Sequence, residues 1–386
     1  MKIIADKDIP LVERYFSSVG TVTCVDGRAI DRRLVRDADL LVVRTVTRVS
    51  EQLLHGSSVS MVASATSGID HIDLDYLHGA GISLFQAAGA NARPVAEYVL
   101  SSLCVLAGLD GYELQGKRVG IIGCGNVGST LLRLLEIMGA ECLVNDPPLR
   151  DSTGDTQRYR DLAELQSADI ISLHVPLQDN GPYPTRGLVD EAFLAKLRSD
   201  VVLINTSRGA VVHGPALARF LDACPGARAV LDVWEGEPDV DTELLRRVII
   251  GTAHIAGYSL EGKIRATRMV YGQVCTHLEV EASASDDPEF EDLHGRMEFA
   301  SVEDMNETLR FAVLAGYDVR GDSAALRRVL EMDAAQRGPY FDDLRRSAGL
   351  RREFSAMTIG LPARQQQLRA RLAELGFTVE IRDNGT

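Results

Sequence analysis

The stretch KRVGIIGCGNVGSTLLRLLEIMGAECLVND, Lys117 to Asp146, decides the fold. An apolar run, Val119 to Ile122, leads straight into Gly123, Gly125 and Gly128 in the spacing G-x-G-x-x-G. Val127, Leu131, Leu134, Leu135 and Met138 then recur at helical intervals, which predicts an amphipathic helix behind the turn. A second strand ends at Asp146, 23 residues after Gly123. Gly123 permits the tight turn, Gly125 lets a pyrophosphate approach the backbone, and Gly128 lets the helix lie close on the strand. The N–H groups at the helix start then hold the phosphate charge, and a carboxylate at Asp146 suits the hydroxyls of an adenosine ribose. A glycine triplet alone could be a packing turn. Strand, triplet, helix, strand and acid in that order predict a dinucleotide site.

Working outward, the 386 residues leave room for two or three domains with their own cores. A hydrophobic content of 45% and a charged content of 25% are those of a globular chain. The formal net charge of -14 argues against nucleic-acid or anionic-membrane partners and obliges any anionic substrate to be held by local cations. Cys24, Cys104, Cys124, Cys142, Cys224 and Cys275 are scattered, with no C-x-x-C pair. Most lie in apolar runs and read as buried free thiols rather than disulfides or metal ligands. The opening MKIIADKDIP runs directly into a strand-like segment without a signal-peptide core, which predicts a cytoplasmic protein. The longest apolar stretch, Tyr98 to Leu109, is too short for a bilayer and reads as a buried helix.

Before this stretch, Lys2–Asp6, Thr21–Val25, Asp39–Arg44, Met61–Thr66 and Ile82–Phe85 read as short strands of a first α/β unit with a parallel sheet. Arg44-Thr45 and Thr66-Ser67-Gly68 end two of them, where ligands collect in open α/β sheets, although each residue alone could be an ordinary loop group. A helix from Ala92 to Leu109 leads to the glycine turn. After it come strands at Asp169–Leu173, Val201–Ser207, Ala227–Val233 and Val248–Thr252, with helices at Glu191–Leu197 and Pro215–Cys224. A helix from Gly262 to about Val280 precedes the acidic linker EASASDDPEFED. The last hundred residues read as a small α+β unit: helices at Asn306–Ala315, Ala324–Met332 and Gln365–Leu375, strands at Phe354–Ile359 and Phe377–Ile381.

Three polar residues follow strand ends on the edge that carries the glycine turn: Arg208, Glu237 and His254. An arginine fork binds a carboxylate bidentately. Histidine titrates in the range needed to take a hydroxyl proton. A neighbouring glutamate fixes its tautomer and stabilises the imidazolium. That set suits oxidation of a 2-hydroxy acid. His174 reads as structural or cofactor-lining, and His71 as a local hydrogen-bonding group.

TSGIDHID, GIIGCGNVG, SLHVPL, INTSRGAVV, LDVWEGEP and HIAGYS together resemble the D-isomer-specific 2-hydroxyacid dehydrogenases. NDPP, LHVPLQDNGPYPT, VVRTVT, HIAGYSLEGK and the C-terminal YDVRGDSAALRRV narrow the resemblance to a branch that acts on a small phosphorylated 2-hydroxy acid. The resemblance implies an α/β fold: two doubly wound, Rossmann-like units with a cleft between them and a small C-terminal α+β dimerisation domain. It divides the chain into a lid or substrate domain (1–93 and 257–280), an NAD domain (94–256) and a dimerisation domain (281–386). It implies catalysis by Arg208, Glu237 and His254. It implies NAD contacts at the turn and at Asn126, Val127, Asp146, Val175, Thr206, Ser207, Arg208, Asp232 and Gly257. Substrate contacts fall on Thr45, Thr66 and Tyr258, and no metal is implied. Arg44 is our added candidate for the substrate phosphate, because a dianion needs a cation. Asp146 favours NAD by repelling the 2′-phosphate of NADP, whereas Arg150 is a cation close enough to serve one. The sequence departs from the branch at Ala88, Ala90 and Ala253, where proline or cysteine is usual, which predicts looser loops. The alternatives are a related dehydrogenase of 3-phosphoglycerate or glycerate, a non-catalytic NAD-sensing regulator, and a regulatory rather than assembling role for the extension.

Overall fold

In the computed structural model, which describes residues 1–282, 294–348, 351–363 and 365–381, most of the apolar runs become strands that are buried along nearly their whole length. Burial on both faces is the signature of parallel sheets covered by helices. Two compact units result.

The first unit holds Met1–Asn91 and the segment that starts at Ser259. Its strands are Lys2–Asp6 (β1), Thr21–Val25 (β2), Leu40–Val43 (β3), Met61–Ser64 (β4) and Ser83–Gln86 (β5). All pair in parallel, in the order β2-β1-β3-β4-β5. One face is covered by the Leu260–His277 helix through Ala266, Val270, Tyr271 and Val274, the other by Val35, Leu54 and Leu77. Ser259 caps that helix by accepting from the Gly262 N–H at 2.9 Å.

The second unit contains Arg118–Ile122 (β6), Glu141–Asn145 (β7), Ile170–Leu173 (β8), Val202–Asn205 (β9), Arg228–Leu231 (β10) and Ile250–Gly251 (β11). The order β11-β10-β9-β8-β6-β7 reverses between β6 and β8, and open sheets bind ligands at such a switch point. The Ala92–Asp110 and Asn126–Ile137 helices pack on one face. The apolar segment around Tyr98 is thus a core helix, 83% buried inside the protein.

The C-terminal extension belongs to this same unit. Its Gly295–Glu298 (β12), Met357–Leu361 (β13) and Thr378–Ile381 (β14) form a parallel sheet of their own. Leu309, Val313, Phe354, Leu372 and Phe377 enter the core that Val99, Leu103 and Leu134 build. Leu326, Val329 and Phe341 enter the core on the opposite face, beside Trp234 and Leu245. Two elements here correct the sequence reading. β12 was not expected, nor was the 14-residue helix Ala334–Ser347. The expected Ala324–Met332 helix starts earlier, at Arg320, and tightens into a 3-10 turn over Arg328–Glu331. The linker expected at 281–292 lies, beyond residue 282, outside the described residues. Among the cysteines, Cys104, Cys124 and Cys275 are buried as expected, Cys142 and Cys224 are half-buried, and Cys24 is exposed.

Candidate active site

Gly123 follows β6 with φ 88°, a left-handed value that favours glycine. A Cβ there would stand 2.6 Å from the carbonyl oxygen of His174, the residue after β8. Gly128 touches Gly123 so closely that a Cβ would lie 2.0 Å from its oxygen, which seats the Asn126–Ile137 helix on the sheet. Gly125, by contrast, faces open space. It caps the helix without any side-chain bond, so the amide ends are left for a phosphate. The residues fit a dinucleotide. Asp146 stands at the end of β7 and is already engaged: it accepts from the Cys124 N–H at 2.7 Å and the Leu149 N–H at 3.0 Å. Its charge therefore also props the turn. Arg150, the candidate for a 2′-phosphate, is ion-paired with Asp161.

The same unit gathers the three expected chemical groups. His254 Nδ1 lies 2.7 Å from Glu237 Oε2, and Glu237 Oε1 accepts from the Trp234 N–H at 2.7 Å. Burial alone would raise the Glu237 carboxyl, but the bond and charge of His254, the Trp234 N–H and the charge of Arg345 outweigh it and hold the group below its ordinary value. The imidazole is 31% exposed, so Nε2 is the nitrogen left to meet a ligand.

The loop around His254 is fixed from below by Asp232. Its main-chain oxygen accepts from the His254 N–H at 2.7 Å. Its carboxylate accepts from the Ile255 and Ala256 N–H groups and from the Thr252 hydroxyl at 2.6 Å. Burial pushes the Asp232 carboxyl up against these donors. The clamp holds His254 at φ 55°, an unusual backbone for a non-glycine residue. The clamp also stiffens the backbone just after Ala253. Arg208 follows β9 and donates to its own neighbour, the Ser207 carbonyl, at 2.8 Å. Gly209 lets this loop press on the glutamate's loop: a Cβ would sit 2.0 Å from the Trp234 carbonyl carbon. His174 is held between two hydroxyls, Ser172 at 2.8 Å and Thr206 at 3.3 Å, and burial drives it down to about 3, so it stays neutral.

A family model described as "D-isomer specific 2-hydroxyacid dehydrogenase, NAD binding domain" matches residues 100–256. The chain is 42% identical to erythronate-4-phosphate dehydrogenase of Hahella chejuensis, over 98% of this chain and 99% of that protein. It is 44% identical to the protein of that name from Cronobacter sakazakii, over 98% of each. The chain belongs to the erythronate-4-phosphate dehydrogenase family. It is an NAD-dependent D-2-hydroxyacid dehydrogenase. The extension matches "Domain of unknown function (DUF3410)" at residues 292–376. Among solved structures the chain shares its fold with an NAD-bound 3-phosphoglycerate dehydrogenase of Entamoeba histolytica (TM-score 0.61, 22% identity, covering 74% of this chain and 99% of that one). A D-lactate dehydrogenase of Aquifex aeolicus is similar (TM-score 0.59, 23% identity, 72% and 96% covered).

The other residues that this dehydrogenase family suggests sit as follows. Val175 approaches Gly123, and Ser207 is buried against the Asn205 side chain at 2.7 Å. Asn126 is exposed at the helix start, and Gly257 is half-buried just before Tyr258. In the first unit, Thr45 is exposed just beyond β3. Thr66, just beyond the adjacent β4, shares a 2.8 Å hydrogen bond with Ser64 and donates to the Gly68 carbonyl. Arg44 lies at that sheet's own switch point, gripped by Asp6 at 2.8 Å and Asp8 at 2.7 Å. His71 Nε2 stands 3.4 Å from Ser64 Oγ, its Nδ1 has no partner, and burial lowers it to about 4.

Two cations beside these groups were not selected from the sequence. Lys263 lies within reach of the charge of Arg44. Arg345 reaches the Tyr258 hydroxyl. Lys263 could have been found, since it ends the quoted HIAGYSLEGK; Arg345 lies in the LRR that begins the LRR…RREF run of the extension, on a helix the sequence reading did not expect.

Proposed function

We propose that this enzyme oxidises C2 of 4-phospho-D-erythronate to the 2-oxo acid, 3-hydroxy-2-oxo-4-phosphooxybutanoate, as a step toward pyridoxal phosphate. NAD, when bound, supplies the acceptor for the hydrogen and electron pair that leave C2. His254 Nε2 takes the hydroxyl proton as the C2–O bond becomes a carbonyl. Glu237 holds Nδ1 and stabilises the charge that the ring acquires. Arg208 binds the substrate carboxylate with its planar fork. The 2.7 Å His254–Glu237 pair, in the unit that carries the dinucleotide turn, is the observation that carries this reading. Asn126, Val127, Asp146, Val175, Thr206, Ser207, Asp232 and Gly257 are proposed for the cofactor, and Thr45, Thr66 and Tyr258 for the substrate. Arg44 remains the candidate for its phosphate, weakened by Asp6 and Asp8 and reinforced by the charge of Lys263.

Purified enzyme given 4-phospho-D-erythronate, 3-phosphoglycerate or glycerate with NAD tests the substrate; faster NADH formation from either rival would replace it. We also propose a cytoplasmic homodimer assembled through the extension, on the strength of the family resemblance. Because the extension fills both cores of the second unit, the intact chain is the object to weigh. A monomeric mass at micromolar concentration would refute the dimer.

A further inference from the structure

The C-terminal extension reaches the catalytic loops, and it does so along one helix face. Gly338, Phe341 and Arg345 of the Ala334–Ser347 helix are spaced by three and four residues, so they point the same way. Phe341 is fully buried. At Gly338 a Cβ would stand 3.2 Å from Asp239 Oδ1 and 3.4 Å from Pro238 Cγ, so the helix runs against the loop that bears Glu237. One helical turn beyond Phe341, Arg345 Nη2 donates to the Tyr258 hydroxyl at 3.2 Å, and its charge is felt at Glu237. Arg351 donates from Nη1 to the Ala256 carbonyl at 2.9 Å, two residues past His254. The extension therefore touches both the Glu237 loop and the His254 loop.

Arg345 is the member of this contact that a packing role does not account for. A guanidinium kept out of water is costly unless its donors are met, yet its buried Nε has no hydrogen-bond partner. A charge held under those terms is placed for what it faces. The groups facing it are Glu237 and Tyr258 from the two catalytic loops and Asp342 from its own helix. Glu237 in turn is faced by His254, the Trp234 N–H and Arg345, and Asp232 lies within the field of His254. Two acids thus stand in reach of the imidazole, and Arg345 is the fixed cation of the set.

We propose that Arg345 is a positioning residue of the dehydrogenase site: it fixes Tyr258 through its hydroxyl and balances the charge of the Glu237–His254 pair. This rests on the assignment of that pair to proton transfer. A cation beside the pair opposes uptake of an extra proton. Removing it makes protonation easier, so in the oxidation direction the acid limb of the kcat/KM profile moves to higher pH.

The test is a set of pH profiles on full-length enzyme with 4-phospho-D-erythronate and NAD, with circular dichroism and NAD titration to check folding. Arg345→Met is expected to lose about tenfold or more in kcat/KM and to move the acid limb up by about half a pH unit, with NAD affinity unchanged. Arg345→Lys keeps the charge, so its acid limb stays with the wild type while part of the rate is lost. An unmoved limb in Arg345→Met, or equal losses in both variants with unmoved limbs, overturns the proposal. If Arg345→Met does not fold, Arg345→Lys decides alone: reduced kcat/KM with a wild-type limb supports the role, and wild-type kcat/KM refutes it. His254→Ala separates the layers. Near-normal turnover there sinks the proton-transfer assignment itself, whereas a dead His254→Ala with an unmoved Arg345→Met limb sinks this inference only.

Discussion

The Lys117–Asp146 stretch and the C-terminal extension lie in one compact unit but are specified by different physics. In the first, the contacts that shape the turn join residues of the stretch itself. Gly128 meets Gly123, Asp146 meets Cys124, and the Asn126–Ile137 helix presents its amide end to the turn. In the second, the consequential contacts join residues 87 to 257 positions apart: Arg345 to Tyr258, Arg351 to Pro94 and Ala256, and Phe354 N–H to Glu97. Local rules build a cofactor cradle. Long-range packing decides what surrounds the chemistry.

The largest effect should come from the chemistry that both regions serve. His254→Ala is expected to lose about a thousandfold in kcat while NAD, measured by fluorescence titration, binds as before. The extension's side of the comparison is broken most directly at Glu97, which is fully buried, ion-paired with Arg93 and accepts from Phe354 N–H at 3.1 Å. Glu97→Ala leaves the Phe354 N–H without its acceptor and Arg93 with the Leu375 carbonyl but no carboxylate. It should cost about 3 kcal/mol in urea unfolding with a single transition; two separate transitions would show that the extension folds apart. Gly128→Ala strikes the local side. With 2.0 Å available to a Cβ, it should cost about 2 kcal/mol and weaken NAD binding, leaving the pH profile unmoved. Smaller still, Glu237→Gln should flatten the acid side of the stability curve. Glu237 is held below its ordinary value of 4.5, so the stability it adds is full above that pH and is lost as the pH falls through the depressed value. Thermal melts from pH 3 to pH 7 check this, and an unchanged slope would contradict it.

The same contrast explains what was legible in the sequence. Strand, turn, helix and acid from Lys117 to Asp146 could be read because each carries its reason locally. The strand-end residues Arg208, Glu237 and His254 could be named, but their union depends on Gly209 pressing against Trp234 and on Asp232 clamping the His254 loop. The Ala334–Ser347 helix was illegible because Gly338 and Pro339 punctuate it like a turn. Its polar sequence also buries only Gly338 and Phe341. Tertiary packing, not propensity, makes it helical. Arg44 is a further case. Its position at a strand end was plain, but its capture by Asp6 and Asp8, 38 and 36 residues away, was not.

The central claim is that the His254–Glu237 pair and Arg208 oxidise a phosphorylated four-carbon 2-hydroxy acid with NAD. The direct measurement is initial-rate NADH formation at 340 nm with 4-phospho-D-erythronate, 3-phosphoglycerate and glycerate, each supplied separately with NAD. The account predicts kcat/KM at least about a hundredfold higher for 4-phospho-D-erythronate. Comparable or faster reduction with either rival, or none with any of the three, would contradict it.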